Sequence, residues 1–256
     1  MGKRKAGLDT TIAWTTAIIG AVVSGSALAG SCSARSGAAV TPVVELYTSQ
    51  GCSSCPPADR WLSSLPSSGK TGEPVIQAFH VAYWDYIGWV DRFAAPAHTQ
   101  RQRQLAAWNG LRNIYTPQVL LNAQDWRQWR QSGEPIPAPI DAASGRIAVR
   151  QREDGVFEAS VTMLAGAPAV WAAYWTVTED AHRTAVGAGE NAGEQLRNDH
   201  VVRQYVPVGD YRTQLDQLQI LVLHAVAATA ALARTINLVL FDPRNGHTLQ
   251  ALAVHC

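Results

Sequence analysis

The feature that most constrains this chain is Cys52-Ser53-Ser54-Cys55, two cysteines three residues apart between the apolar run "PVVELYT" and the helix-spaced "ADRWLSSL". The run from Pro42 to Thr48 is β-branched and aromatic and is closed by Ser49-Gln50-Gly51, so it reads as a strand. Trp61, Leu62 and Leu65 recur at helical spacing, with Asp59 in the first turn where an acid suits the helix dipole. Strand, glycine turn, Cys-x-x-Cys, helix is the order a dithiol redox site requires. The turn sets Cys52 at the mouth of the helix, where unpaired backbone N–H groups favour the thiolate. Cys55, one turn on, resolves the mixed disulfide. With Ser54 as N-cap, Cys55, Pro56 and Pro57 occupy the first turn, where a proline's missing N–H has no partner to lose. The helix then starts after Cys52, which predicts a less stabilised thiolate and a weaker oxidant.

Further strands are read at "PVIQAFHVAYW" from Pro74 and at "YTPQVLLN", with helix-compatible "AHTQRQRQLAAWNGL" between them and a short helix over "AQDWRQWRQ". This alternation predicts an α/β, thioredoxin-like mixed sheet with flanking helices. In such a fold Thr116-Pro117, just before an apolar strand, fits the loop carrying a cis-proline beside the dithiol, and Pro117 then shapes the substrate groove. Glu45 stands mid-strand among apolar neighbours. It is either on the solvent side of the pleat or buried with a raised pKa, able to exchange a proton with Cys55. A Pro-rich stretch, 133–145, separates this first unit (42–132) from a C-terminal β-rich domain, 146–256, with a hairpin at Asp154-Gly155 and strand candidates to the end. "QLQILVLHAVAATAALA" is ambiguous between helix and strand.

The N-terminus carries Lys3, Arg4 and Lys5, a long uncharged apolar segment, and Ala27-Leu28-Ala29, the order of a secretory signal. Cleavage after Ala29 leaves a flexible leader, 30–41, and moves the formal charge from +1 to −1. The expected location is secreted or periplasmic, with membrane contact only if the signal segment is retained as an anchor. So small a net charge without a basic stripe argues against nucleic acid. In an oxidising compartment Cys32 and Cys256, at the two ends of the mature chain, are candidates for a stapling disulfide.

Two rival readings stay open. Copper or zinc could use the two thiolates with His80, His98 or His200, although none of these has tight ligand spacing. Alternatively the chain is a non-catalytic envelope binding protein whose Cys52–Cys55 disulfide stiffens the turn. Tyr83, Trp84, Tyr86, Trp89 and Phe93 would line a groove or pack the core. "GENAG", Gly189 to Gly193, lacks the context of a nucleotide loop, and no cofactor is implied.

The stretch "ELYTSQGCSSCPPAD", Glu45 to Asp59, together with "FHVAYWDYIGWVDRF", "TPQVLLN" and "GAGENAGEQLRNDHVVR", resembles the DUF1223 family of secreted proteins with a thioredoxin-like fold. Ala82 and Ala188 stand where the family pattern has an acid and a base. The resemblance implies the fold and export, and bears on function only through the dithiol, whose residues are read as those of an exported thiol-disulfide oxidoreductase-like protein acting on protein or peptide thiols with an unidentified redox partner. Its site would be Cys52, Cys55 and Pro117, with Glu45 as a weaker member.

Overall fold

The computed structural model describes residues 1–3, 32–131, 136–137, 141–229 and 232–256. Nearly all of the signal segment read at 1–29 and much of the Pro-rich stretch lie outside the described residues. In chain order the strands are β1 (Ser33–Arg35), β2 (Val43–Thr48), β3 (Val75–His80), β4 (Gln118–Leu121), β5 (Gln124–Asp125), β6 (Gly145–Glu153), β7 (Val156–Met163), β8 (Val170–Glu179), β9 (His182–Ala185), β10 (Gln195–Asn198), β11 (Val201–Arg212), β12 (Leu218–His224), β13 (Arg234–Phe241) and β14 (Thr248–His255). Two α-helices, α1 (Pro56–Ser63) and α2 (Pro96–Trp108), and 3-10 turns at Ala82–Ile87 and Arg127–Arg130 complete the described elements.

The α/β, thioredoxin-like class with flanking helices is therefore corrected. Strand accounts for 43% of the described chain and helix for 14%, in large multi-stranded sheets. The local order around the cysteines suggested a small mixed sheet, but strands from the later half of the chain enter the same sheet. Its order is β14-β13-β8-β11-β3-β2-β4-β5, eight strands in all. The stretch read as a helix after β4 is instead β5 followed by the 3-10 turn, and the ambiguous "QLQILVLH" is strand β12. Within the sheet β2 pairs parallel with β3, β3 meets β11 in parallel at Val201↔Ala78, and β4 runs antiparallel to β2. A four-stranded antiparallel sheet, β1-β6-β7-β12, covers the β8-β13-β14 side. Ile147, Val149, Phe157 and Val161 of that sheet pack on Trp171, Trp175, Ile236 and Leu238 in one core. Burying side chains of this size stabilises by about 1.5–3 kcal/mol each. Among the described residues no helix is long and apolar enough to cross a membrane.

The pleat of β2 and β3 decides what lies near the cysteines. Val44, Leu46, Ile76 and Ala78 face α1, packing on Ala58 and Leu62. Tyr47, Phe79 and Val81, one residue out of step, form the opposite core with Leu105 of α2. Side chains alternate along a strand, so Thr48 and His80, directly paired across β2 and β3, project toward α1. Glu45 and Gln77 project to the other side.

Candidate active site

Strand β2 ends at Thr48, and the chain turns through Ser49, Gln50 and Gly51 into the cysteine loop. Cys52 N–H donates to Ser49 O at 3.1 Å and Cys55 N–H to Cys52 O at 3.1 Å. Helix α1 opens on Pro56 and Pro57 with Cys55, not Ser54, as the N-cap residue and no side-chain cap bond. Two prolines are tolerated there because first-turn N–H groups have no intrahelical partner. Cys52 and Cys55 form a disulfide, and a second disulfide joins Cys32 to Cys256.

Both Cys52 and Cys55 are fully buried. Hydroxyl groups converge on the first sulfur: Ser54 Oγ lies 3.3 Å from Cys52 Sγ, and Thr116 Oγ1 donates to it at 3.4 Å. Thr116 Oγ1 in turn accepts from the Trp84 indole N–H at 2.7 Å, which leaves the hydroxyl proton for the sulfur. The Thr116–Pro117 peptide is cis and leads into β4. Cys52 and Cys55 are thus brought together with Thr116, the residue before Pro117.

Glu45 is not with them. On the α2 side of the sheet its Oε1 accepts from Arg101 Nη2 at 2.6 Å and Tyr174 Oη at 3.0 Å, and its Oε2 from Arg101 Nε and Tyr47 Oη, both at 2.9 Å. Four donors use all the acceptor capacity of a carboxylate. The Arg101 guanidinium, over the Tyr174 ring at 4.0 Å, has its pKa raised well above the ordinary value. Burial opposes this, but Glu45 is the largest of the raising influences.

On the α1 face lies a second buried polar group, whose members His80 and Asp59 sequence reading named separately and did not join. His80 Nδ1 meets Asp91 Oδ2 at 2.6 Å, and Asp91 accepts from Gln50 N–H at 2.9 Å and Phe93 N–H at 3.0 Å. Burial would lower the His80 imidazole, but the Asp91 carboxylate carries it above its ordinary value. Asp91 is itself tugged upward by burial and held below the usual carboxylate range by His80. Burial pushes the Asp59 carboxyl of α1 up to about 6, with His80 and the Thr48 hydroxyl pulling it down. Thr48 Oγ1 is near enough for that influence but closes no hydrogen bond of normal geometry, and His80 Nε2 is likewise buried without a partner. A carboxyl raised in the folded state binds more protons than in the unfolded chain. Its charge therefore costs stability progressively from about pH 4 to 6, and fully above that range. Among the described residues no cluster of three or more His, Cys, Asp or Glu could hold a metal ion; His98, by burial, has a pKa lowered to about 4.

A loop far away in sequence closes over the cysteines. Asn191 Nδ2 donates to Gln50 O at 2.8 Å and Cys52 O at 3.0 Å, and Glu190 Oε2 accepts from Ser53 N–H at 2.9 Å and Ser53 Oγ at 2.8 Å. Gly189, at φ 76°, fits where a Cβ would lie 3.3 Å from Ile87 and Trp89. The signal existed in "GEN", a glycine that frees the backbone beside a carboxylate and an amide, but its partner was legible only in three dimensions. The aromatic segment divides: Phe93 is buried, Trp84 serves the Thr116 contact, and Tyr86 is exposed.

The two donors of Ser53 hold the exposed Glu190 carboxyl below its ordinary value. That part of the clasp is present above the ordinary carboxylate pKa and lost as pH falls through the folded one. Glu190→Ala is expected to speed reduction of the Cys52–Cys55 disulfide by a phosphine reductant about two- to fivefold at pH 7, a modest effect because both bonds from Ser53 are lost but at an exposed site. The ratio of variant to wild-type rate should shrink below about pH 4. Equal rates at pH 7 in a thiol-trapping time course would remove the clasp's role.

Residues 43–239 match a family model described as a protein of unknown function (DUF1223). The solved structure of protein AGR_C_4864 from Agrobacterium tumefaciens is similar, with a TM-score of 0.60 at 24% identity, covering 84% of this chain and 94% of that one. HBP35 of Porphyromonas gingivalis is similar at a TM-score of 0.57 and 13% identity, over 85% of this chain and 76% of that one. At these identities the likeness is one of fold alone. No curated protein matches.

Proposed function

The chain belongs to the DUF1223 family, whose description assigns no activity, and from its site we propose that Cys52 and Cys55 exchange disulfides with protein or peptide thiols in an exported protein. The observation that carries this reading is the donor chain from Trp84 through Thr116 to Cys52 Sγ. A disulfide sulfur is a poor acceptor and gains little from such donors. A thiolate gains much, because hydrogen bonds to the charged form favour it.

Loop size supports the same reading. By chain-entropy arithmetic a bridge across Cys52–Cys55 is worth about 2 kcal/mol, whereas one across Cys32–Cys256 is worth about 5 kcal/mol. Stapling is the business of the terminal pair, which leaves the short one for chemistry. In the forward step the Cys52 thiolate attacks a substrate disulfide and one substrate sulfur departs with its electron pair. Cys55 then attacks Cys52 Sγ, the intramolecular disulfide forms, and the second substrate sulfur leaves as thiolate. The reverse steps reduce the site. The two disulfides are compatible with an oxidising compartment. With the basic-then-apolar order of the N-terminus, they support export.

One observation favours a structural disulfide instead: both cysteines are buried under the Gly189–Asn191 loop. The reduction potential of the pair separates the two. It would be measured by trapping thiols across glutathione buffers in a Cys32→Ala, Cys256→Ala background. A value between about −120 and −270 mV is that of working oxidoreductases, and one below about −300 mV that of a structural bond. Thr116→Val, which keeps shape and removes the donor, should raise the Cys52 thiol pKa by about one unit, since a hydrogen bond to a charged group is worth about 1.5 kcal/mol. The pH dependence of Cys52 alkylation in the reduced protein reads this directly; an unchanged profile counts against exchange.

A further inference from the structure

In the polar group on the α1 face Asp91 holds the Gln50 and Phe93 amides and His80, but two further polar atoms there have no such task. Glu45, on the other face, is saturated by Arg101, Tyr47 and Tyr174. On the α1 face, Thr48 Oγ1 and His80 Nε2 are buried with no hydrogen-bond partner, and the residue set over them is Asp59. Its amide donates to Cys55 O at 3.1 Å, so it follows Cys55 by one helical turn, and both residues are buried. Helical side chains lean toward the N-terminus, over the preceding turn. Asp59 therefore leans over the turn that Cys55 occupies, with Thr48 and His80 below.

We infer that Asp59, backed by His80 and Asp91, takes the proton of the Cys55 thiol as Cys55 resolves the mixed disulfide, an inference that rests on the exchange reading. The step balances. The proton passes from Cys55 Sγ to the Asp59 carboxylate, the Cys55–Cys52 bond forms, and the bond between Cys52 and the substrate sulfur breaks. The substrate leaves as thiolate with that bond's electron pair. In reduction of the site Asp59 returns the proton to the departing Cys55 sulfur. No oxidant is needed beyond the substrate disulfide.

A carboxyl with a pKa near neutrality suits a base that must take and return a proton, and burial brings Asp59 to about 6. The groups facing it are Thr48 on β2, His80 on β3, Asp91 beyond the 3-10 turn, and Arg60 on its own helix. Behind these, Arg203 of β11 bears on His80, and the Arg197–Asp199 pair sits at the β10 side against which α1 packs. Glu45 is excluded by the pleat.

The test uses the full mature chain, with glutathione attached to Cys52 of the reduced protein and its release followed by stopped flow. Wild-type release is expected to rise through an inflection near pH 6. Asp59→Asn should slow it at pH 7 by at least about a hundredfold, the lower range for loss of a general base, and abolish that inflection. Asp59→Glu should recover part of the rate. Asp59→Asn removes a buried charge, so it should fold, as a thermal melt will report. An Asp59→Asn variant releasing glutathione at the wild-type rate with the same pH profile overturns the inference.

If wild type itself releases none, the exchange reading fails, and carbon-13 titration of the Asp59 carboxyl decides the proton link separately. A pKa higher in the dithiol than in the disulfide form sustains it, and an identical titration in both overturns it.

Discussion

Replacing Cys32 and Cys256 together with alanine should lower the thermal midpoint by on the order of 10–20 °C, because about 5 kcal/mol of chain-closure stabilisation is lost from a protein of this size. The bridge joins the residue before β1 to the residue after β14. Residual native order at that seam comes from backbone pairing: β1 remains laced to β6 through Ser33↔Arg150 and Arg35↔Ala148. The variant should therefore still fold at room temperature, with its core sandwich intact. Replacing Cys52 and Cys55 by the same chemistry should cost only about 2 kcal/mol, since the closed ring is short. Differential scanning calorimetry of the two double variants checks the contrast. Equal losses would mean that the short bridge carries a structural load that loop size does not predict.

Glu45→Ala should destabilise by about 3–5 kcal/mol, the cost of leaving one partner of a buried ion pair without its counter-charge. Arg101 would be stranded among Phe79, Tyr174 and Tyr205, and the Tyr47 and Tyr174 hydroxyls would lose their acceptor. Replacing both charges, Glu45→Met with Arg101→Met, should recover part of that loss, because paired apolar side chains remove the desolvation cost of both ions while the two tyrosine hydroxyls still lack their acceptor. Urea denaturation of Glu45→Met, Arg101→Met and the double closes the cycle and yields the coupling. If the double variant is no more stable than Glu45→Ala, the pair is holding the sheet against α2 in some way beyond charge compensation.

How much of this was readable beforehand varies with the range of the interaction. The cysteine loop, α1 and the β6–β7 hairpin at Asp154-Gly155 depend on neighbours in sequence and were legible to within the cap residue, Cys55 in place of Ser54, whereas the Thr116–Pro117 bond was read only by analogy of fold. The sheet did not follow. Strand β11 meets β3 through Val201 and Ala78, residues far apart in the chain, and no local pattern announces such pairing. The side of the pleat taken by Glu45 was undecidable because every residue of β2 is buried, so the hydrophobic alternation that reports a solvent face is absent. Asp59 was visible only as an acid suited to a helix start. Its neighbours Thr48 and His80 come from strands whose register sequence alone does not fix.

That single parallel contact between β3 and β11 has a practical consequence for anyone dividing the chain. Strand β3 lies inside the sheet, flanked by β2 and β11, and it supplies His80 to the polar group on the α1 face. A fragment ending at the Pro-rich stretch would retain the cysteine loop but strip β3 of its neighbour, turning an apolar interior strand into the edge of the sheet. Such a raw edge invites other copies to pair with it. The cysteine loop is thus not a detachable cassette: the sheet it stands on is completed by strands from the later half of the chain.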